Sequence, residues 1–193
     1  MISASAAGND GYSAKNYQIH LSPPGKRLRH AQMRTGGTAM AKIIALCGMI
    51  CSGKSTYAKK IRQTQAAVVL NPDVLMKTLW GEHLGERHDE IFEKVRQYLY
   101  GQAIDIIQAG TDVILDFGLW SKRERRETRD FFQSKGVDFS LHYINTPLSQ
   151  IDANIKKRNL CFDASTYFID DTIFNECLSS FEIPDADEID VEV

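Results

Sequence analysis

Gly48, Gly53, Lys54 and Ser55 stand in the spacing Gly-x-x-x-x-Gly-Lys-Ser within GMICSGKST, residues 48–56. These residue types suit one task, the holding of phosphate. Glycines let the backbone curl until successive N–H groups converge on phosphate oxygens, where a Cβ would obstruct. A helix beginning near Lys54 adds its positive N-terminal end. In a bound nucleotide the Lys54 ammonium reaches the β- and γ-phosphates, the Ser55 hydroxyl ligates Mg²⁺ and Thr56 adds a contact to the α-phosphate. The whole run, Gly48, Met49, Ile50, Cys51, Ser52, Gly53, Lys54, Ser55 and Thr56, is the expected nucleotide-binding loop. By itself it names neither the nucleotide nor the reaction.

A second half of such a site is supplied by VILD, residues 113–116, an apolar strand ending in a carboxylate. At the C-terminal edge of a parallel sheet, where ligands gather, Asp116 is placed to hold Mg²⁺ or a water bound to it. The bland alternative is an aspartate that caps the next turn. An Asn-Lys-x-Asp guanine reader and an Asp-x-x-Gly switch are both absent, which argues against a GTPase. Phe117 stands beside Asp116 where motor ATPases place a water-polarising glutamate, so a hydroxyl on another molecule is favoured over water as phosphate acceptor. Such a reaction needs a base or orienting group for the acceptor, and cations for the transferred charge. Asp73, just after the second strand, is either that base or the N-cap of the helix VLMKTLW. Cations cluster in SKRERRETR (121–129), most of them expected to be solvated, and in KKRN (156–159). Of the latter, Arg158 is favoured, because a guanidinium bridges phosphate oxygens at two points.

Positioning these residues requires a particular order of elements. KIIALC (42–47) reads as a buried strand, 54–65 as a helix, AAVVL (66–70) as a strand, 73–80 as a short helix and 86–109 as a long one. Ile91, Val95, Tyr98, Leu99, Ala103, Ile106 and Ile107 keep helical spacing along that long helix. DVILDF (112–117) and DFSLHYIN (138–145) are strands separated by a charged helix, 121–135. Thr146-Pro147 predicts an N-cap and first-turn proline for a helix through about Arg158, with Leu148, Ile151 and Ile155 buried. A last helix falls near 170–181. The alternation predicts an α/β fold, a parallel sheet flanked by helices on both faces in three layers.

The 193 residues, 43% apolar and 25% charged, suit one soluble domain, and a net charge of −2 advertises neither nucleic acid nor anionic membrane. No apolar run is long enough to span a membrane, and the expected location is cytoplasmic. Cys47, Cys51, Cys161 and Cys177 lack paired zinc spacing and read as reduced thiols. Residues 1–39 carry Lys15, Lys26, Arg27, Arg29 and Arg34 against Asp10, lack a hydrophobic period and read as a disordered basic leader. Met40, opening directly into the first strand, is an alternative start. The domain is expected over 40–183, with 184–193 a solvated acidic tail.

From about residue 41 to 187 the chain resembles the P-loop kinases of the polynucleotide-kinase, zeta-toxin and chloramphenicol-phosphotransferase type. The motifs that carry the resemblance are GMICSGKST, NPDVLMKTLWG, VILDFGLWSKRERRETR, LHYINTPLSQIDANIKKRN and FEIPDADE, of which DFGLW followed by serine and a basic helix is the most specific. The resemblance implies an ATP- and Mg²⁺-dependent kinase with Lys54 at the phosphates, Asp73 as base, Asp116 as the strand-end acid, Arg125 as the recurrent arginine of the basic helix and Arg158 as a lid arginine. Relatives often carry arginine three residues after the base; here that residue is Met76, with Lys77 beside it. A nucleic-acid substrate is therefore not carried over, and a small-molecule hydroxyl acceptor is favoured, for a chain acting as a monomer or weak homodimer. The rival expectation is a nucleotide-dependent switch or slow ATPase acting through a partner.

Overall fold

A computed structural model of the chain describes residues 40–81, 85–160 and 168–193. Backbone contacts divide the chain into two units, Met1–Thr38 and Ala39–Val193, and every described residue lies in the second. The leader expected over 1–39 lies outside the described residues, as does most of CFDASTYF after Arg158.

The elements run β1 (Lys42–Cys47), α1 (Lys54–Thr64), β2 (Ala67–Leu70), α2 (Pro72–Trp80), a 3₁₀ turn (Gly85–Arg87), α3 (His88–Gln108), β3 (Asp112–Gly118), α4 (Lys122–Ser134), β4 (Asp138–Tyr143), α5 (Leu148–Leu160), α6 (Asp171–Ser180) and β5 (Val191–Glu192). The strands pair in the order β2-β3-β1-β4-β5, every pair parallel. Two-residue periodicity sorts β1 between two cores. Ile43, Ala45 and Cys47 face Tyr100 and Ala103 of α3 and Phe132 of α4, whereas Ile44 and Leu46 face Ala58 of α1. Helices thus cover both faces of the sheet. The crossovers diverge on either side of β1, and its C-terminal end opens at the point where α/β sheets bind ligands.

Three features depart from the sequence pattern. Tyr98 and Leu148, expected in apolar stripes, are exposed, while Ile151 and Ile155 are buried. Thr146 does not act as a helix cap through its hydroxyl, which donates instead to the Ser52 carbonyl at 2.8 Å. The acidic C-terminal segment is not a loose solvated tail but part of the fold. Val191–Glu192 extends the sheet beside β4, and the acids before it meet the cations of α4: Asp185 with Lys122, Glu188 with Arg125, Asp190 with Arg129.

Arg125 and Glu188 form the centre of this clasp. Nε donates to Glu188 Oε1 at 2.9 Å and Nη2 to Oε2 at 3.1 Å, with the Arg125 side chain 2% and Glu188 14% exposed. Burial alone would raise the Glu188 pKa, but the hydrogen bonds and charge of Arg125 hold it below the ordinary carboxylate value. Breaking one side of such a pair costs about 3–5 kcal/mol. Glu188→Gln is therefore expected to lower the urea midpoint markedly at pH 7. A depressed carboxylate contributes its stability above the unfolded-state pKa and loses it as pH falls through the folded one. The gap between wild type and Glu188→Gln should accordingly begin to narrow as pH falls below the ordinary glutamate pKa of about 4.3; a gap constant down to pH 3 would contradict this account.

Candidate active site

The loop after β1 is shaped by its glycines and held from outside. A Cβ on Gly48, whose φ is 155°, would lie 2.7 Å from Ser52 Oγ and 3.0 Å from the Ile144 carbonyl oxygen. Any other residue would be strained there and would have to push Ser52 aside. Cys51 adopts φ 56°, rare for a side-chain-bearing residue, and Gly53 follows at 100° into α1. Thr146 holds the Ser52 carbonyl, and Asn154 Nδ2 of α5 donates to the Cys51 carbonyl at 2.9 Å. Sequence reasoning missed both tethers, because they reach across 94 and 103 residues.

Lys54 folds back over the loop, its ammonium donating to the Gly48 and Met49 carbonyl oxygens at 2.8 Å each. Its third N–H has no acceptor among the described residues. Desolvation lowers its pKa, while Asp116 acts the other way. Ser55 donates to Asp116 Oδ2 at 2.6 Å, so the expected metal pair is already together. Asp116 is buried at 5% exposure. Pairing passes from Ala45↔Leu115 to Cys47↔Gly118, an extra β3 residue beside Asp116 of the kind that re-aims side chains at strand ends. Hydroxyl and carboxylate oxygens are hard donors suited to Mg²⁺. Among the described residues no group of three or more His, Cys, Asp or Glu could cage a metal ion, so such an ion would take its remaining ligands from water and phosphate.

Asp73 does not cap α2. That place belongs to Asn71, whose side-chain oxygen accepts from the Val74 N–H at 3.0 Å, with Pro72 in the first turn. Asp73 instead stands in the first turn of α2, exposed to solvent yet close to charged neighbours. Burial first and Asp116 second raise its pKa; Lys54, His88 and Arg158 act in the opposite direction. Four residues from separate elements therefore share one electrostatic neighbourhood: Lys54, Asp73, Asp116 and Arg158. Arg158, within α5 and not beyond its end, reaches the loop, with Nη1 3.6 Å from Cys51 Sγ. Its Nε is buried without a hydrogen-bond partner among the described residues, as is Ser52 Oγ. A half-buried guanidinium in contact with a weak sulfur acceptor is poised for a better anion. Lys156 is exposed and paired with Asp152 instead.

Arg125 is not free to meet phosphate. Besides Glu188 it serves the carbonyls of Leu119, Trp120 and Glu182, so its donors are committed to the clasp. Those carbonyls belong largely to the DFGLW turn. There Gly118 (φ 82°) lies under the Trp120 ring, Leu119 takes φ 48°, and Trp120 packs against the same buried cluster, around Met49 and Ile151, as Ile50 and Cys51 of the phosphate loop. Arg125 thus braces the loop's support. Phe117 stacks on Tyr100 at 5.7 Å and belongs to the core. Met76, in the place where relatives often carry arginine, is buried against Ile91, Val95 and Leu99. Cys47 is buried too, its thiol pushed up to about 11 by desolvation, and with Cys51 and Cys177 it is a free cysteine.

A glycine loop between a buried strand and a helix, a strand-end acid bonded to its serine, and a five-stranded parallel sheet define a P-loop kinase-like protein. Its chain belongs to the AAA_33 family, described as an AAA domain, which matches residues 43–184. Comparison with curated proteins gives no match. Among solved structures, one in the Pnkp1/Rnl/Hen1 RNA repair complex is similar at 20% identity and TM-score 0.60, covering 73% of this chain but only 44% of that one. The Mycobacterium tuberculosis APS kinase CysC, in complex with AMPPNP and APS, is similar at 16% identity and TM-score 0.56, covering 80% and 88%. A sugar kinase from Janibacter sp. HTCC2649 is similar at 15% identity and TM-score 0.55, covering 79% and 84%. No described helix is long and apolar enough to cross a membrane.

Proposed function

We propose that the chain is an ATP-dependent, Mg²⁺-assisted kinase that moves the γ-phosphate to a hydroxyl of a second molecule. The observation that carries this is the shared neighbourhood of Lys54, Asp73, Asp116 and Arg158 at the mouth of the glycine loop. Similarity to structures of kinases of several acceptor types supports the reaction class without choosing the acceptor. Bound Mg²⁺, held by Ser55 and by Asp116 directly or through water, would offset charge on the β- and γ-phosphates. Lys54 and the loop amides hold those phosphates. Asp73 takes or orients the acceptor proton, and Arg158 neutralises charge on the transferred group. Arg125 acts at a distance, by bracing the DFGLW turn. Such chemistry consists mostly of positioning and electrostatics. Phe117, next to Asp116 in the chain, is turned into the core, so that position supplies no glutamate to polarise water. A small-molecule acceptor is preferred to a nucleic-acid end, since Met76 withdraws the side chain that would contact substrate.

The test is ATP consumption by the purified chain with and without a panel of acceptors: nucleosides, 5′-OH oligonucleotides, aminoglycosides and sugars. Stimulation by one class, with one phosphorylated product per ATP, is the expected result. Consumption equal with and without every acceptor would overturn the kinase reading and favour an ATPase switch.

A further inference from the structure

One side chain joins the two carboxylates of the site. The parallel register Leu70↔Leu115 sets Asn71 abreast of Asp116 at the ends of β2 and β3. Asn71 Nδ2 donates to Asp116 Oδ2 at 3.1 Å, while Asn71 Oδ1 accepts from the Val74 N–H at 3.0 Å and starts α2. The amide orientation is fixed by these partners: flipped, it would set oxygen against a carboxylate and NH₂ against an N–H. With Ser55 and Asn71 both donating to Oδ2, the Asp116 carboxylate cannot rotate without losing two hydrogen bonds, and Oδ1 is left for other duties. Two residues further along, on the turn this cap begins, stands Asp73.

Resting on the kinase reading above, we propose that Asn71 is a positioning residue that fixes Asp116 on the metal side and, with the same side chain, the first turn of α2 that presents Asp73. Other residue types fill half of this role. Serine or threonine caps a helix but brings no amide to Asp116; aspartate caps but sets a second carboxylate against the first; glutamine is too long to cap its own helix. The metal and acceptor sides are thereby locked in register by one planar group, and a change at Asn71 is felt on both.

Two substitutions separate the arms. Asn71→Ser keeps a capping oxygen and loses the donor to Asp116; Asn71→Ala loses both. Binding of a fluorescent N-methylanthraniloyl ATP is measured while MgCl₂ is titrated, and again in EDTA, with hydrogen exchange followed at the start of α2. For Asn71→Ser the Mg²⁺ midpoint is expected to rise on the order of 10-fold, as for loss of a group supporting a metal ligand. Affinity in EDTA should stay within about 2-fold of wild type, and exchange at Val74 should be unchanged because the cap remains. Asn71→Ala should show the same Mg²⁺ shift plus roughly 5-fold faster exchange at Val74. A wild-type Mg²⁺ midpoint in Asn71→Ser overturns the role of Asn71 alone. A wild-type chain that ignores the labelled ATP at every Mg²⁺ concentration overturns this proposal together with the kinase reading beneath it.

Discussion

Lys54→Ala is expected to weaken ATP binding by about 10- to 100-fold, the worth of a charge-assisted contact of about 1.5–3 kcal/mol. Phosphoryl transfer should fall by a further factor of 100 or more, because charge on the phosphate oxygens grows toward the transition state. The free protein should fare differently. Lys54 is a desolvated cation, and its lowered pKa means that holding its charge at neutral pH costs folding energy. That cost opposes the two hydrogen bonds lost from the Gly48 and Met49 carbonyls, so thermal stability without ligand should fall by less than the loss of two such bonds alone would give. ATP-induced stabilisation, expected in wild type through mass action, should shrink in the variant by about 1.4–2.7 kcal/mol at saturating ATP, the equivalent of that loss in affinity. Calorimetric titration and paired thermal melts check both halves. Undiminished ATP affinity in Lys54→Ala would place the nucleotide elsewhere on the chain.

How much of this site the sequence disclosed depended on how far apart its partners lie. The phosphate loop was legible because strand, glycines, lysine and helix are consecutive, and each carries a local conformational requirement. The strand-end position of Asp116 was legible for the same reason. Its bond to Ser55 spans 61 residues and follows only once β1 and β3 are paired. Arg125 illustrates the opposite case. Its helix shows charge on all faces, and nothing local marks this arginine as the buried one, since its partners at Glu182 and Glu188 lie 57 and 63 residues on. The same acids made 184–193 look solvated, because acidic composition hides a two-residue strand that exists only beside β4. Asn71 was open to discovery, for Asn-Pro is a helix-start signal stronger than an aspartate two positions later. Its second contact, to Asp116, depended on sheet register and was out of reach.

Asp73→Asn is expected to leave ATP binding within about 2-fold of wild type and to cut transfer by 10²- to 10⁴-fold, the usual worth of a positioned base. Asparagine preserves shape and one acceptor oxygen but cannot take a proton. Removing a carboxylate beside Asp116 also lessens repulsion near the bound phosphates, so any change in ATP affinity should be toward tighter binding. The pH profile gives an independent reading. Burial and the neighbouring Asp116 raise the Asp73 pKa above the ordinary aspartate value, and the base acts in its ionised form. Activity of the free enzyme, read as kcat/KM, should therefore climb as pH rises through that raised pKa, with its acid limb at higher pH than an unperturbed aspartate would give. In Asp73→Asn the acid limb should vanish along with most of the rate. Transfer retained at more than about a tenth of wild type, with the acid limb in place, would remove Asp73 from the role of base. It would leave Asp73 as a group that only orients the acceptor, and the proton would have to depart directly to the phosphoryl oxygens, a route open to a loose, largely dissociative transfer.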